Sequence, residues 1–88
     1  MIWDVRLAKA AAKQLEKLPP DYQTLLLKKL NEMRDDPFQG DVQPLKGKQH
    51  KGRYRKRVGR YRIIFAPDHD NRVVEVSAIL PRDEKTYR

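Results

Sequence analysis

The sequence predicts an α+β domain with the element order strand, helix, helix, strand, strand, strand, and three observations carry this reading. A short alternating stretch opens the chain, two segments of helical periodicity follow, and three segments of strand-like alternation fill the second half. Each segment has one apolar side to bury. A helical hairpin packed on one face of a mostly antiparallel sheet satisfies all of them and leaves the other sheet face available. At 88 residues the chain holds one core, so 1–88 reads as a single small domain.

Ile2 to Arg6 alternates apolar and charged residues and suits a short half-buried strand. Leu7, Ala10, Ala11, Leu15 and Leu18 form the apolar stripe of a first helix, with Lys9, Lys13, Glu16 and Lys17 on its other side. Pro19 and Pro20 end it and open the next, since proline is tolerated in a first turn and Asp21 meets the positive helix end. The second helix runs from Asp21 to Arg34 and buries Tyr22, Leu25, Leu26, Leu30 and Met33; Asp36 before Pro37 stops it. Phe38 to Pro44 has loop composition. Arg53 to Val58, Tyr61 to Ala66 and Arg72 to Leu80 are the remaining strands, joined by turns at Gly59-Arg60 and at Pro67 to Asn71.

Charge is unevenly placed along this scaffold. The chain carries 20 basic and 12 acidic residues, a net charge of +8. Met1 to Gln43 holds 7 of each, so the whole excess lies in the second half. It is densest from Lys46 to Arg62, where no Asp or Glu interrupts the positives. Such a field calls for an anionic partner: nucleic acid, an acidic protein or an anionic surface. There is no cysteine and only two histidines, which excludes a disulfide framework and argues against a metal site. No stretch has the apolar length of a signal peptide or a membrane span, so a cytoplasmic protein is expected.

Hairpin geometry sorts the positives. A two-residue turn with glycine in its first central position signals a type II′ hairpin, so Val58 should pair with Tyr61. Counting back, Arg57 faces Arg62, Lys56 faces Ile63, Arg55 faces Ile64 and Tyr54 faces Phe65. Alternation then places Tyr54, Val58, Tyr61, Ile63 and Phe65 on one face, and Arg53, Arg55, Arg57 and Arg62 on the other. Like charges directly opposite one another are destabilising by up to about 1 kcal/mol, so Arg57 beside Arg62 calls for an anion. Arg55 and Arg57 stand roughly 7 Å apart along one strand, close enough to address neighbouring phosphates. Lys56 is the misfit, because the count puts it in the apolar column. Either it snorkels at the sheet edge or a bulge changes the register, and the sequence leaves both open.

Four pieces in this order carry a family likeness: the helix ending LEKLPPDYQ, the loop DPFQGDVQPLKG, the hairpin GRYRKRVGRYRIIF, and the tail PRDEKTYR after a last strand VVEVSAIL. On these the chain resembles the RelE/ParE superfamily of toxins from type II toxin-antitoxin pairs, and the likeness covers nearly its whole length. The resemblance implies the α+β fold already inferred, with no cofactor. RelE-like members are ribosome-dependent endoribonucleases that cut messenger RNA, and ParE-like members act on DNA gyrase. The RelE-like set maps here onto Arg55 and Arg57 of the middle strand, Arg62 after the turn, Arg82 beyond the last strand and Tyr87 near the C-terminus. Two departures stand out. Arginine occupies the middle-strand positions where the best-known enzymes carry lysine, and Lys56 stands where the family usually has an aliphatic residue.

The chemistry this implies is attack by the RNA's own 2′-OH on the adjacent phosphorus, leaving a 2′,3′-cyclic phosphate and a 5′-OH. Tyr87 would be the base, its phenolate favoured by neighbouring cations. Arg55, Arg57 and Arg62 would stabilise the pentavalent phosphate through planar, bidentate contacts. Arg82 would meet the phosphate or the leaving oxygen. Lys46, Lys48, Lys51, Arg53 and Arg60 would grip the surrounding RNA, the ribosome or an acidic antitoxin. His50 is an alternative base or phosphate ligand; His69 reads as turn composition, and Trp3 as core. The competing readings are a ParE-like gyrase inhibitor and a non-catalytic nucleic-acid-binding module.

Overall fold

In the computed structural model, which describes residues 2–81, the first strand runs over Asp4–Leu7 (β1), two residues later than the alternation suggests at its start. Ile2 and Trp3 are drawn off the strand because both of their N–H groups donate to the Arg34 carbonyl, at 3.0 and 2.9 Å. The first helix is Lys9–Glu16 (α1) and the second Pro20–Glu32 (α2), with Asp21 in its first turn as the dipole argument requires. Of the first stripe, Ala11 and Leu15 reach the core. Leu7 belongs to β1 and is exposed, as is Ala10. The stripe of α2 is the expected one, with Leu26, Leu30 and Met33 buried and Tyr22 and Leu25 packed beside them.

The segment read as a loop before Pro44 contains a three-residue strand, Val42–Pro44 (β2), and a single turn of 3-10 helix follows at Lys48–His50. The next strands are Tyr54–Val58 (β3), Tyr61–Asp68 (β4) and Val73–Pro81 (β5). Strand β4 continues through Pro67, which stands opposite Val74, before the turn begins. The five strands form one sheet in the order β1-β5-β4-β3-β2, antiparallel except where β1 runs parallel to β5. The register of β3 on β4 is the one counted from the turn, from Val58 opposite Tyr61 to Tyr54 opposite Phe65. Gly59 has φ +57 and Arg60 does not share the positive sign, as a type II′ turn demands. A Cβ at Gly59 would lie 3.3 Å from Tyr22 Cε1, and Tyr22 in turn meets Tyr61 edge to face, so the turn is seated on α2.

Helices and sheet close over Trp3, Ala11, Leu15, Leu26, Leu30 and Met33 from one side and Val58, Ile63, Phe65, Val74, Val76 and Ile79 from the other. Trp3 is core, as expected. His69 does more than fill a turn: its ring meets the edge of Trp3 at 5.5 Å and stacks parallel to Phe38 at 5.9 Å, closing the aromatic end of the core. A register shift lies between Ile64 and Phe65, where Ser77 Oγ donates to the Ile64 carbonyl at 3.3 Å. Strand β1 covers β5 only as far as Val76. Beyond it, Gln14 of α1 supplies the missing acceptor: its Oε1 takes the Ile79 N–H at 2.7 Å. Gln14→Ala should therefore cost about 1 to 3 kcal/mol, read as a lower urea midpoint, because a buried donor loses its partner.

Lys56 stays in the apolar column with no shift of register at its position, opposite Ile63 on one side and Val42 on the other. It is buried, 4% exposed. Gly40 lies beside the end of its stem, since a Cβ there would approach Lys56 Cε at 3.9 Å. Desolvation holds its pKa below the ordinary lysine value. Lys29 adds to the lowering, and Glu32 and Asp36 oppose it.

Candidate functional site: an arginine face braced by Asp41

The sheet face away from the helices carries the arginines, and the reason is the period of two set by the hairpin turn. Arg55 and Arg57 alternate with Lys56 along β3, so the two arginines point away from the core while the lysine points in. Arg62 lies directly opposite Arg57 in the β3–β4 ladder. The like-charged pair is therefore real. On this face the structure brings Arg55, Arg57 and Arg62 together, alongside Ile64 of the same strand as Arg62.

The burial of these side chains differs. Arg55 has only 10% of its side chain exposed, whereas Arg57 keeps 36%. Asp41, a residue to which the sequence assigns no role, also engages the two unequally. The β2 strand pairs Gln43 with Arg55 and Val42 with Lys56, which brings Asp41 alongside Arg57. Its carbonyl accepts the Arg57 N–H at 3.0 Å, extending the ladder by one bond. Its carboxylate accepts from Arg55 Nη1 at 3.1 Å, and the same nitrogen also reaches the Asp41 carbonyl at 3.4 Å. The second carboxylate oxygen lies 3.9 Å from Arg57 Nη1. At that distance, with Asp41 half exposed, the pair with Arg57 is a weak, screened attraction and the bond to Arg55 is the firm one. Arg57 Nε is buried and has no hydrogen-bond acceptor among the described residues.

Lys46, Lys48, Lys51 and Arg53 are exposed and crowd the loop that enters β3, while Arg60 sits at the tip of the turn that leaves it. The five do not make one patch. They flank the arginine face at its two ends, roughly 17 Å apart along a five-residue strand. His50 is half buried in the 3-10 turn, and its Nδ1 has no hydrogen-bond partner among the described residues. Arg82 and Tyr87 lie outside the described residues. Among the described residues no helix is long and apolar enough to cross a membrane, and no group of three or more His, Cys, Asp or Glu is placed to hold a metal ion.

Compared with solved structures, this fold is that of the RelE-type toxins. The archaeal RelE–RelB complex from Pyrococcus horikoshii OT3 is similar at 26% identity and a TM-score of 0.83, covering 97% of this chain and 100% of that one. The RelBE2 toxin-antitoxin complex from Mycobacterium tuberculosis matches at 23% identity and a TM-score of 0.82, over 93% of this chain and 100% of that one. The YoeB/ParE toxin from Agrobacterium tumefaciens shares the fold at 15% identity and a TM-score of 0.74, over 89% and 96% of the two chains. No curated protein matches. The family model described as the ParE toxin of type II toxin-antitoxin systems, parDE, matches residues 5–86. The chain therefore belongs to that toxin family, within the RelE/ParE superfamily.

Proposed function

We propose that this chain is a ribosome-dependent endoribonuclease that cuts messenger RNA without a metal ion, and that an acidic antitoxin neutralises it. The single observation that carries the reading is the placement of Arg57 directly opposite Arg62 on the sheet face turned away from the helices. Two guanidinium groups side by side on one sheet face can meet a scissile phosphate from both sides and stabilise the charge it develops. Arg57 and Arg62 stabilise the pentavalent phosphorus, Arg55 stands behind Arg57, Tyr87 removes the 2′-OH proton, and as the P–O5′ bond breaks Arg82 neutralises the leaving 5′-oxygen, which takes its proton from water or a ribosomal group. The lysine-rich loop and Arg60 hold RNA or ribosome on either flank. Structures of relatives described as complexes with RelB support an antitoxin as partner.

The test is a primer-extension assay on ribosomes programmed with a defined message. Cleavage products ending in a 2′,3′-cyclic phosphate and a 5′-OH are expected. An intact message would sink the reading. A second reading is favoured by the description of the matching family model, which names the ParE toxin. A gyrase inhibitor would block supercoiling of relaxed plasmid and leave the message whole, so the two assays run side by side separate them.

A further inference from the structure

We infer that Asp41 is a positioning residue of the arginine face: it anchors Arg55, which orders the site, and leaves Arg57 presented to the phosphate. This rests on the endonuclease reading above. From one place Asp41 reaches both arginines of β3. Its carbonyl fixes the Arg57 backbone at 3.0 Å, its Oδ1 holds Arg55 Nη1 at 3.1 Å, and its Oδ2 stands 3.9 Å from Arg57 Nη1. Two guanidinium groups on the same side of one strand repel, and a carboxylate between them offsets part of that repulsion while fixing where Arg55 points. The two arginines are thereby given different tasks. Arg55 is buried with its donor engaged, so reaching a phosphate would break that bond and move a buried charge. Arg57 is more exposed and its ion pair is long. A phosphate oxygen can therefore displace the distant carboxylate from Arg57 at little cost, while Arg55 remains the post against which Asp41 is braced.

Asp41 acts through Arg55, and the full chain on programmed ribosomes can show it. The cleavage rate at saturating toxin should fall by roughly tenfold in Asp41→Ala. The half-saturating toxin concentration should stay unchanged or drop, because a negative charge beside the phosphate has gone. Asp41→Asn, whose amide oxygen can still accept from Arg55, should stay within about threefold of wild type. In an Arg55→Ala background the alanine change at Asp41 should cost less than about twofold, since the post is already missing. Independently of activity, the Arg55 guanidinium protons should exchange slowly by NMR in the wild type and in Asp41→Asn, and fast in Asp41→Ala. If the alanine variant does not fold, Asp41→Asn decides alone. A rate near wild type with slow Arg55 protons supports the inference, and a tenfold loss overturns it. Wild-type cleavage with an unaltered Asp41→Ala, or losses at Asp41 and Arg55 that multiply, overturns it too. A wild-type chain that leaves the message whole overturns the endonuclease reading and this inference together.

Discussion

Replacing Arg62 by alanine should lower the rate of message cleavage on programmed ribosomes by about 10² to 10³-fold, the usual cost of removing one preorganised donor from a developing anion. Arg62 is fixed within β4, between Arg57 on one side and Leu80 on the other, so its guanidinium is delivered by a central strand and not by a loop. Fold stability is read separately, because the substitution also removes a like charge opposite Arg57 worth up to about 1 kcal/mol. Circular dichroism melting therefore serves as the control. Arg62→Lys should recover only part of the rate, since an ammonium cannot reproduce the planar fork. In the tail, Tyr87→Phe should remove the base and slow cleavage by about 10² to 10⁴-fold. Wild-type rates in both Arg62→Ala and Tyr87→Phe would remove these residues from the mechanism.

Lys56→Met should make the protein more stable, by about 1 to 4 kcal/mol, as is often found when a well-packed apolar side chain replaces a buried charge. For a domain of this size each kcal/mol moves the melting temperature by roughly 4 to 8 °C. The sign follows from the environment. Lys56 is 4% exposed, faces the core side of the sheet, and has its pKa lowered chiefly by desolvation, with Lys29 adding to it. A lysine whose folded pKa lies below its unfolded value of about 10.4 costs stability at every pH where it must stay charged. That cost is full below the folded pKa and disappears as pH rises through the folded value toward the unfolded one. The gap between wild type and Lys56→Met should accordingly be widest near neutrality and narrow in alkaline buffer. A denaturant series across that range measures it, and equal stabilities at all pH values would show that Glu32 and Asp36 fully compensate the buried charge.

Gly59-Arg60 made the arginine face legible, because one glycine with φ +57 fixes the turn, the turn fixes the register and the register fixes which side chains share a face. Both helices were legible for a similar reason: their stripes repeat over enough turns to define a side. Asp41 and β2 were not. A three-residue strand, Val42–Pro44, is too short to show a period, and its existence depends on an edge of β3 that only the folded sheet provides. The absence of acidic residues from Lys46 to Arg62 therefore overstated how bare the arginines are, since chain folding returns a carboxylate to them from outside that stretch. Parallel pairing of β1 with β5 was equally out of reach, because it depends on where the helical crossover sets the first strand down. Lys56 illustrates the opposite case. The count put it in the apolar column, where the register has it, but neither explanation offered for it holds: the side chain is buried and no bulge lies at its position.

The parallel pairing of the first strand with the last also divides assembly of the molecule in time. β2, β3 and β4 are neighbours in sequence as well as in the sheet, so Asp41 and the three arginines can come together through short-range closure. The outer edge must wait for the far end of the chain, since Asp4 finds its partner only at Val73. In refolding from denaturant, closure of β2 on β3 and of β3 on β4 should therefore precede closure of β1 on β5, which pulsed hydrogen exchange would resolve.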